Sequence, residues 1–189
     1  MLLHPGRGLL ICLIVLSSLS GCGGDTPQRA NNTLNLATKY AGQGNLDRAI
    51  KTASDWLKKH PNDESAGLFC FEIAMFYLQK ASKDDAHREE SLQNAVDYFE
   101  KDLAAHRSAQ VDIERYEVGR GLEAAGDLTG KNKCLYYTHA IEEFRDEAPF
   151  ILGESYTAYG KTISLAAVRQ ENEKALDRVK AKLTQAACK

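Results

Sequence analysis

Residues 36–61, LATKYAGQGNLDRAIKTASDWLKKHP, constrain the fold more than any other stretch of the chain. Two short amphipathic halves flank a Gly44-Asn45 turn, and Pro61 closes the unit. In the second half Leu46, Ala49, Ile50, Ala53 and Leu57 recur at spacings of three and four, which puts them on one face of a helix. Asn45 is a natural N-cap. Asp47 supplies a negative charge to the first turn and Lys58 and Lys59 positive charge to the last, both favourable to the helix dipole. The first half carries Leu34, Leu36, Ala37, Tyr40 and Ala41, with Asn32 and Thr33 as caps and Gly42 and Gly44 at its end. Such a unit builds an antiparallel helix hairpin.

Longer hairpins follow. Residues 64–81 (ESAGLFCFEIAMFYLQKA) are apolar almost all round, the mark of a central, buried helix in a soluble domain. A polar turn over 82–85 leads to a partner helix over 87–106, with Leu92, Ala95, Val96, Phe99 and Leu103 as its stripe. Residues 110–125 carry Val111, Ile113, Tyr116, Val118 and Leu122 with Gly126 expected as a C′ residue, and 132–147 form the partner, closed by Pro149. An offset of 45 residues aligns these two units: Glu72/Glu117, Ala95/Ala140 and Phe99/Phe144 are identical, and Phe71/Tyr116, Ile73/Val118 and Val96/Ile141 are similar. A fixed offset is the sign of stacked repeats. Residues 150–189 read as helical throughout, with Leu152, Tyr156, Tyr159 and Ile163 on one stripe and Leu176, Val179 and Leu183 on another. One bent helix and a fourth hairpin both satisfy that pattern. The second stripe suits a helix that caps the end of the stack.

Leu36, Ala37, Tyr40, Gly44, Ala49 and Pro61 stand where a tetratricopeptide repeat places its large, small, aromatic, turn, small and stop residues. The unit resembles one such repeat, and the later units resemble stretched copies. The family repeat is about 34 residues. Ala74 to Ala95 spans 21 residues against 12 for Ala37 to Ala49, so about one extra turn per helix absorbs most of the difference. The resemblance covers Leu34 to about Pro149, closely in the first unit and loosely in the other two, and implies stacked antiparallel helix hairpins; with the capping helix read from the last stripe, an all-α fold is expected over residues 33–189. The resemblance also implies a binding face on the first helix of each pair. Carried over position by position, that face holds Leu34 and Thr38, then Phe71, Met75 and Leu78, then Tyr116, Arg120 and Glu123. Phe71, Met75, Tyr116, Arg120 and Glu123 are the expected partner-binding set. The long helices allow a second reading, in which the stack closes and Phe71 and Met75 are core.

The N-terminus supplies an address. Leu9 to Leu16 are eight apolar residues in a row, far short of the roughly 20 a bilayer span needs, so residues 1–21 read as a removable signal. Leu19-Ser20-Gly21-Cys22 resembles the lipobox of bacterial lipoproteins. The resemblance implies cleavage before Cys22, a thioether-linked diacylglycerol on its sulfur and an acyl chain on its nitrogen, enough for stable anchoring. Gly23 in place of Asp implies, by the same resemblance, the outer membrane, with the domain facing the periplasm. Residues 22–32 are expected to form a lipidated cysteine and a flexible polar tether.

Composition excludes more than it assigns. A net charge of −2, with Lys58, Lys59, Arg88, Lys131 and Lys133 interleaved with acids, argues against a nucleic-acid surface. Removing 21 of 189 residues leaves 168, enough for one domain with its own core. No HExxH, CxxC, phosphate-binding glycine loop or GxSxG elbow occurs, so neither an enzyme nor a cofactor or metal is expected. His87 with Glu90 and His139 with Glu142 lie three apart on a helical face but read as solvated pairs, and Asp84-Asp85 with Glu89-Glu90 read as a charged turn. Cys70 reads as core; Cys134 and Cys188 are the candidate disulfide of an exported protein, though spacing alone does not bring them together. Two functions fit: a lipid-anchored scaffold that docks a protein or peptide in the envelope, or a small-ligand or enzymatic helical domain with a pocket near Tyr136, Tyr137 or Tyr156.

Overall fold

The computed structural model describes residues 26–105, 111–145, 155–158 and 161–188. Six helices form three successive hairpins: α1 (Thr26–Gly42) with α2 (Leu46–Lys59), α3 (Ala66–Ala81) with α4 (Arg88–Ala105), and α5 (Val111–Leu128) with α6 (Lys133–Arg145). A two-stranded hairpin, β1 (Ser155–Ala158) and β2 (Lys161–Ser164), precedes α7 (Leu165–Gln185), which packs on α6 and α5. The protein is an all-α stack of antiparallel helix hairpins with a terminal helix on its last pair, and β1–β2 is the one sheet among the described residues.

The turn between α1 and α2 forms as its residues require. Asn45 N donates to Tyr40 O and Gly44 N to Ala41 O, each at 2.9 Å, and Gly44 takes φ +79°, a glycine-closed helix end. Asn45 Oδ1 then accepts from Arg48 N at 3.3 Å and caps α2. The expected start of α1 moves. The helix begins at Thr26 rather than after Asn32, so residues 26–32, read as tether, are helical. Ala30, Leu34, Ala37 and Ala41 are all buried, and their spacing extends the core stripe one turn back through Asn31 and Asn32.

Two cores share α3. Phe69, Ile73 and Phe76 face α1 and α2, where Phe69 stacks on Trp56 with centroids 3.9 Å apart. Phe71, Ala74, Leu78 and Ala81 face α4 and the rest of the stack. The 45-residue offset reappears as a repeated contact. Phe71 meets Phe99 at 5.9 Å and 55°, and Tyr116 meets Phe144 at 6.0 Å and 52°. Ala95/Ala140, Phe99/Phe144 and Ile73/Val118 are buried in both copies.

Two other expectations change. Gly126 lies inside α5, which runs to Leu128, and its missing side chain makes room for the Tyr137 ring. Residues 150–189 are not helical throughout: Tyr156 pairs with Ile163, and Ala158 with Lys161 across Tyr159-Gly160. SYTAYGKTIS is rich in aromatic, Thr and β-branched residues around a Gly, and that local preference overrides the helical spacing of Tyr156 and Ile163.

Candidate functional site

Cys22 lies outside the described residues. The other expected site residues sit on α3 and α5. Phe71 is a core residue, 8% exposed, its ring against Phe99. Leu34 and Leu78 are buried as well, and Thr38 is half-buried. Met75 packs at the edge of the same core, partly open.

Tyr116 and Arg120 stand together one turn apart on α5. The Tyr116 ring rests on Phe144 and stays half-exposed, and burial raises its phenol above the ordinary range. Arg120 is exposed. Its guanidinium lies 5.8 Å from the Tyr116 centroid and 3.5 Å from Glu117. Burial raises the Glu117 carboxyl, and Arg120 only partly offsets this. The pair offers an aromatic edge and a forked cation to whatever approaches α5.

Glu123 belongs to a different arrangement. It is 6% exposed, and α7 takes both its oxygens: Arg178 Nε donates to Oε1 at 2.7 Å and Nη2 to Oε2 at 2.6 Å, while Lys182 Nζ lies 2.8 Å from Oε1. Burial alone would raise this carboxyl, but hydrogen bonds from Arg178 and Lys182 outweigh it and hold the group below its ordinary value. Lys182 also donates to Asp127 at 2.6 and 2.8 Å, and Asp127 accepts from Tyr137 Oη at 2.8 Å. Asn172 Nδ2 reaches Phe144 O at 2.8 Å. Cys188 is bonded to Cys134, with Cα atoms 5.5 Å apart, so the end of the chain is stapled to the first turn of α6.

The charged turn residues have structural partners. Asp84 accepts from Ala86 N and His87 N and lies 2.9 Å from His87 Nδ1, and Asp85 pairs with Arg88. Glu89 accepts from Thr129 Oγ1 at 2.8 Å and Gly130 N at 2.7 Å, tying α4 to the turn after α5. His60 stacks on Trp56 at 4.8 Å. Among the described residues no group of three His, Cys, Asp or Glu could hold a metal ion, and no helix is long and apolar enough to cross a membrane. His139 lines a cleft of about 160 Å³ with Phe99, Glu100, Leu103, Val118, Leu122, Glu142 and Glu143. Tyr136 and Tyr137 are core residues and do not line it. Cys70 is free and buried, its thiol pushed up to about 11 by burial, with Asp102 adding to the effect.

Sequence reasoning missed the carboxyl of Glu72, which is 6% exposed and raised by burial to about 7. A lone acid inside the apolar run 66–81 was the available signal. It also missed Asn172, Arg178 and Lys182. The i, i+4 spacing of Arg178 and Lys182 on α7 was visible, but nothing local pointed to Glu123.

No protein-family model matches the chain, and a search of curated proteins finds no relative.

Proposed function

We propose that the chain is a lipid-anchored envelope protein whose helical stack docks a protein or peptide partner, with α5 presenting Tyr116 and Arg120 to it. The observation that carries this reading is the juxtaposition of a half-exposed tyrosine and an exposed arginine on a helix whose other face is buried. Aromatic and arginine side chains supply most interface hot spots, and an arginine fork suits a carboxylate. Phe71 and Leu78 belong to the core and are not available to a partner, while Met75 on α3 is only partly buried. The apolar run before Cys22 supports the anchor, and the Cys134–Cys188 bond fits an oxidising compartment outside the cytosol.

Two measurements test it. Cys22→Ser is expected to abolish lipid labelling and detergent-phase partitioning; unchanged partitioning would remove the anchor. Arg120→Ala, at an exposed position, is expected to cut recovery of a cross-linked envelope partner about thirtyfold while leaving the melting temperature alone, the effect of losing about 2 kcal/mol of contact. Equal recovery with the parent would move the docking face off α5.

A further inference from the structure

We infer that the surface of α5 and α6 beneath α7 is a docking site for a basic amphipathic helix, and that α7 is its resident occupant. This rests on the scaffold reading above and identifies the partner chemistry that one face selects. Three features single α7 out. Among its described side chains only Ala175 and Val179 are fully buried, with Leu176 and Leu183 partly so, whereas α3 buries eleven of its residues. Its polar grip is correspondingly dense: Arg178 and Lys182 on Glu123, Lys182 on Asp127, and Asn172 on the Phe144 carbonyl. Its end is held by a covalent bond as well as by the partial packing of Leu183 and Ala186.

Glu123 decides what the site can accept. Both of its oxygens are taken by cations from outside the α5–α6 hairpin, and a buried carboxylate stripped of its partners is strongly destabilising. The bare face therefore requires a cationic occupant, and an apolar or acidic helix leaves Glu123 uncompensated. Ala175-x-x-Arg178-Val179-x-x-Lys182 states the pattern: a small residue and a β-branched one four apart, each with a base three residues after it. A partner helix with that pattern reproduces the ion pairs to Glu123 and Asp127 and the packing of Ala175 and Val179, though not the Asn172 hydrogen bond to Phe144 or the disulfide. With the bond closed, the tethered α7 competes at an effective concentration no free helix matches. Thiol exchange with an external dithiol, which leaves as its own disulfide while Cys134 and Cys188 become thiols, lowers that advantage to what the chain connection between α6 and α7 alone provides.

The test uses the full chain in detergent and, as probe, a fluorescent peptide of residues 171–187 (ENEKALDRVKAKLTQAA). The Cys134→Ser/Cys188→Ser variant is expected to bind the peptide at least tenfold more tightly than the oxidised parent. A peptide carrying Arg178→Glu and Lys182→Glu should lose that binding, as should the variant carrying Glu123→Gln in addition. Hydrogen exchange on the same samples should show protection lost over α7 and retained over α3 and α4. The parent treated with a thiol reductant should match the variant. Equal peptide binding by parent and variant overturns the inference, as does loss of protection across α3 to α6, which would make α7 an integral wall. A dimer of the variant that exchanges α7 between copies and excludes the peptide overturns the partner assignment. Failure here with a positive Arg120→Ala result leaves the scaffold reading standing, and the converse leaves this site standing without it.

Discussion

Glu72 places a carboxyl with no offsetting cation in the most apolar helix of the chain. Burial raises it to about 7, so the folded state holds a proton that the unfolded state releases near the ordinary 4.5. Stability from this group is therefore complete below the unfolded value and declines as the pH rises through the window between 4.5 and about 7. The penalty above that window is on the order of 3 kcal/mol. Urea midpoints of the parent are expected to fall from pH ~5 to ~8 by an amount the Glu72→Gln variant does not show; parallel profiles would mean the carboxyl is not confined. Glycines give a second residue-scale contrast. A side chain at Gly121 would meet the ring of Phe99, which is wholly buried and cannot swing aside. Gly121→Ala should cost about 1–3 kcal/mol of overpacking, more than the ~1 kcal/mol of helix propensity it gains. Gly42 has open space around it, so Gly42→Ala should be neutral or slightly stabilising in the same melts.

At the scale of elements, α2 was legible in its bounds because cap, stripe and terminal charges agree, although the stripe closes on buried Trp56 with Leu57 only partly buried. Helix α1 and the segment before α7 were not. Asn32 and Thr33 looked like caps, yet Ala30 continues the buried stripe and tertiary contact overrides the local signal. Tyr156 and Ile163 satisfy both a helical spacing and a strand pairing, and only the pairing resolves them. Helix α7 was readable as a terminal helix, but its charged grip on Glu123 depends on residues 55 apart. That grip has a pH signature. Glu123 titrates below its ordinary 4.5, so its stabilisation is complete above that value and is lost as the pH falls through the lower folded value. Amide protection of α7 should drop in acid before that of α3, and Glu123→Gln should weaken α7 at neutral pH and flatten the acid response. The Cys134–Cys188 bond closes a separation of 54 residues, for which chain entropy supplies about 4 kcal/mol. Removing it should lower α7 protection by a comparable amount; a change under about 1 kcal/mol would show that α7 holds itself.

The whole molecule carries its repeat as a contact rather than as a sequence. The Phe71–Phe99 and Tyr116–Phe144 pairs keep nearly the same separation and tilt although only one member of each matches in identity. Of the candidate site, Tyr116 and Arg120 were legible as neighbours on one turn. Phe71 as core was one of the two readings the sequence allowed, whereas the burial of Glu123 was not legible, because it depends on where α7 lands. Helix α3 lends Phe69, Ile73 and Phe76 to one core and Phe71, Ala74 and Leu78 to the other. Trp56 is the single indole of the chain and stacks on Phe69, so its fluorescence reports one core alone, whereas circular dichroism reports every helix. The two urea curves should nevertheless coincide, and Phe69→Ala should shift both by the same amount, about 3–5 kcal/mol. An open array of repeats can be trimmed one unit at a time and keep the remainder. Here the turn between α2 and α3 is no place to cut, because each half would carry away one face of a helix whose other face it had just laid bare.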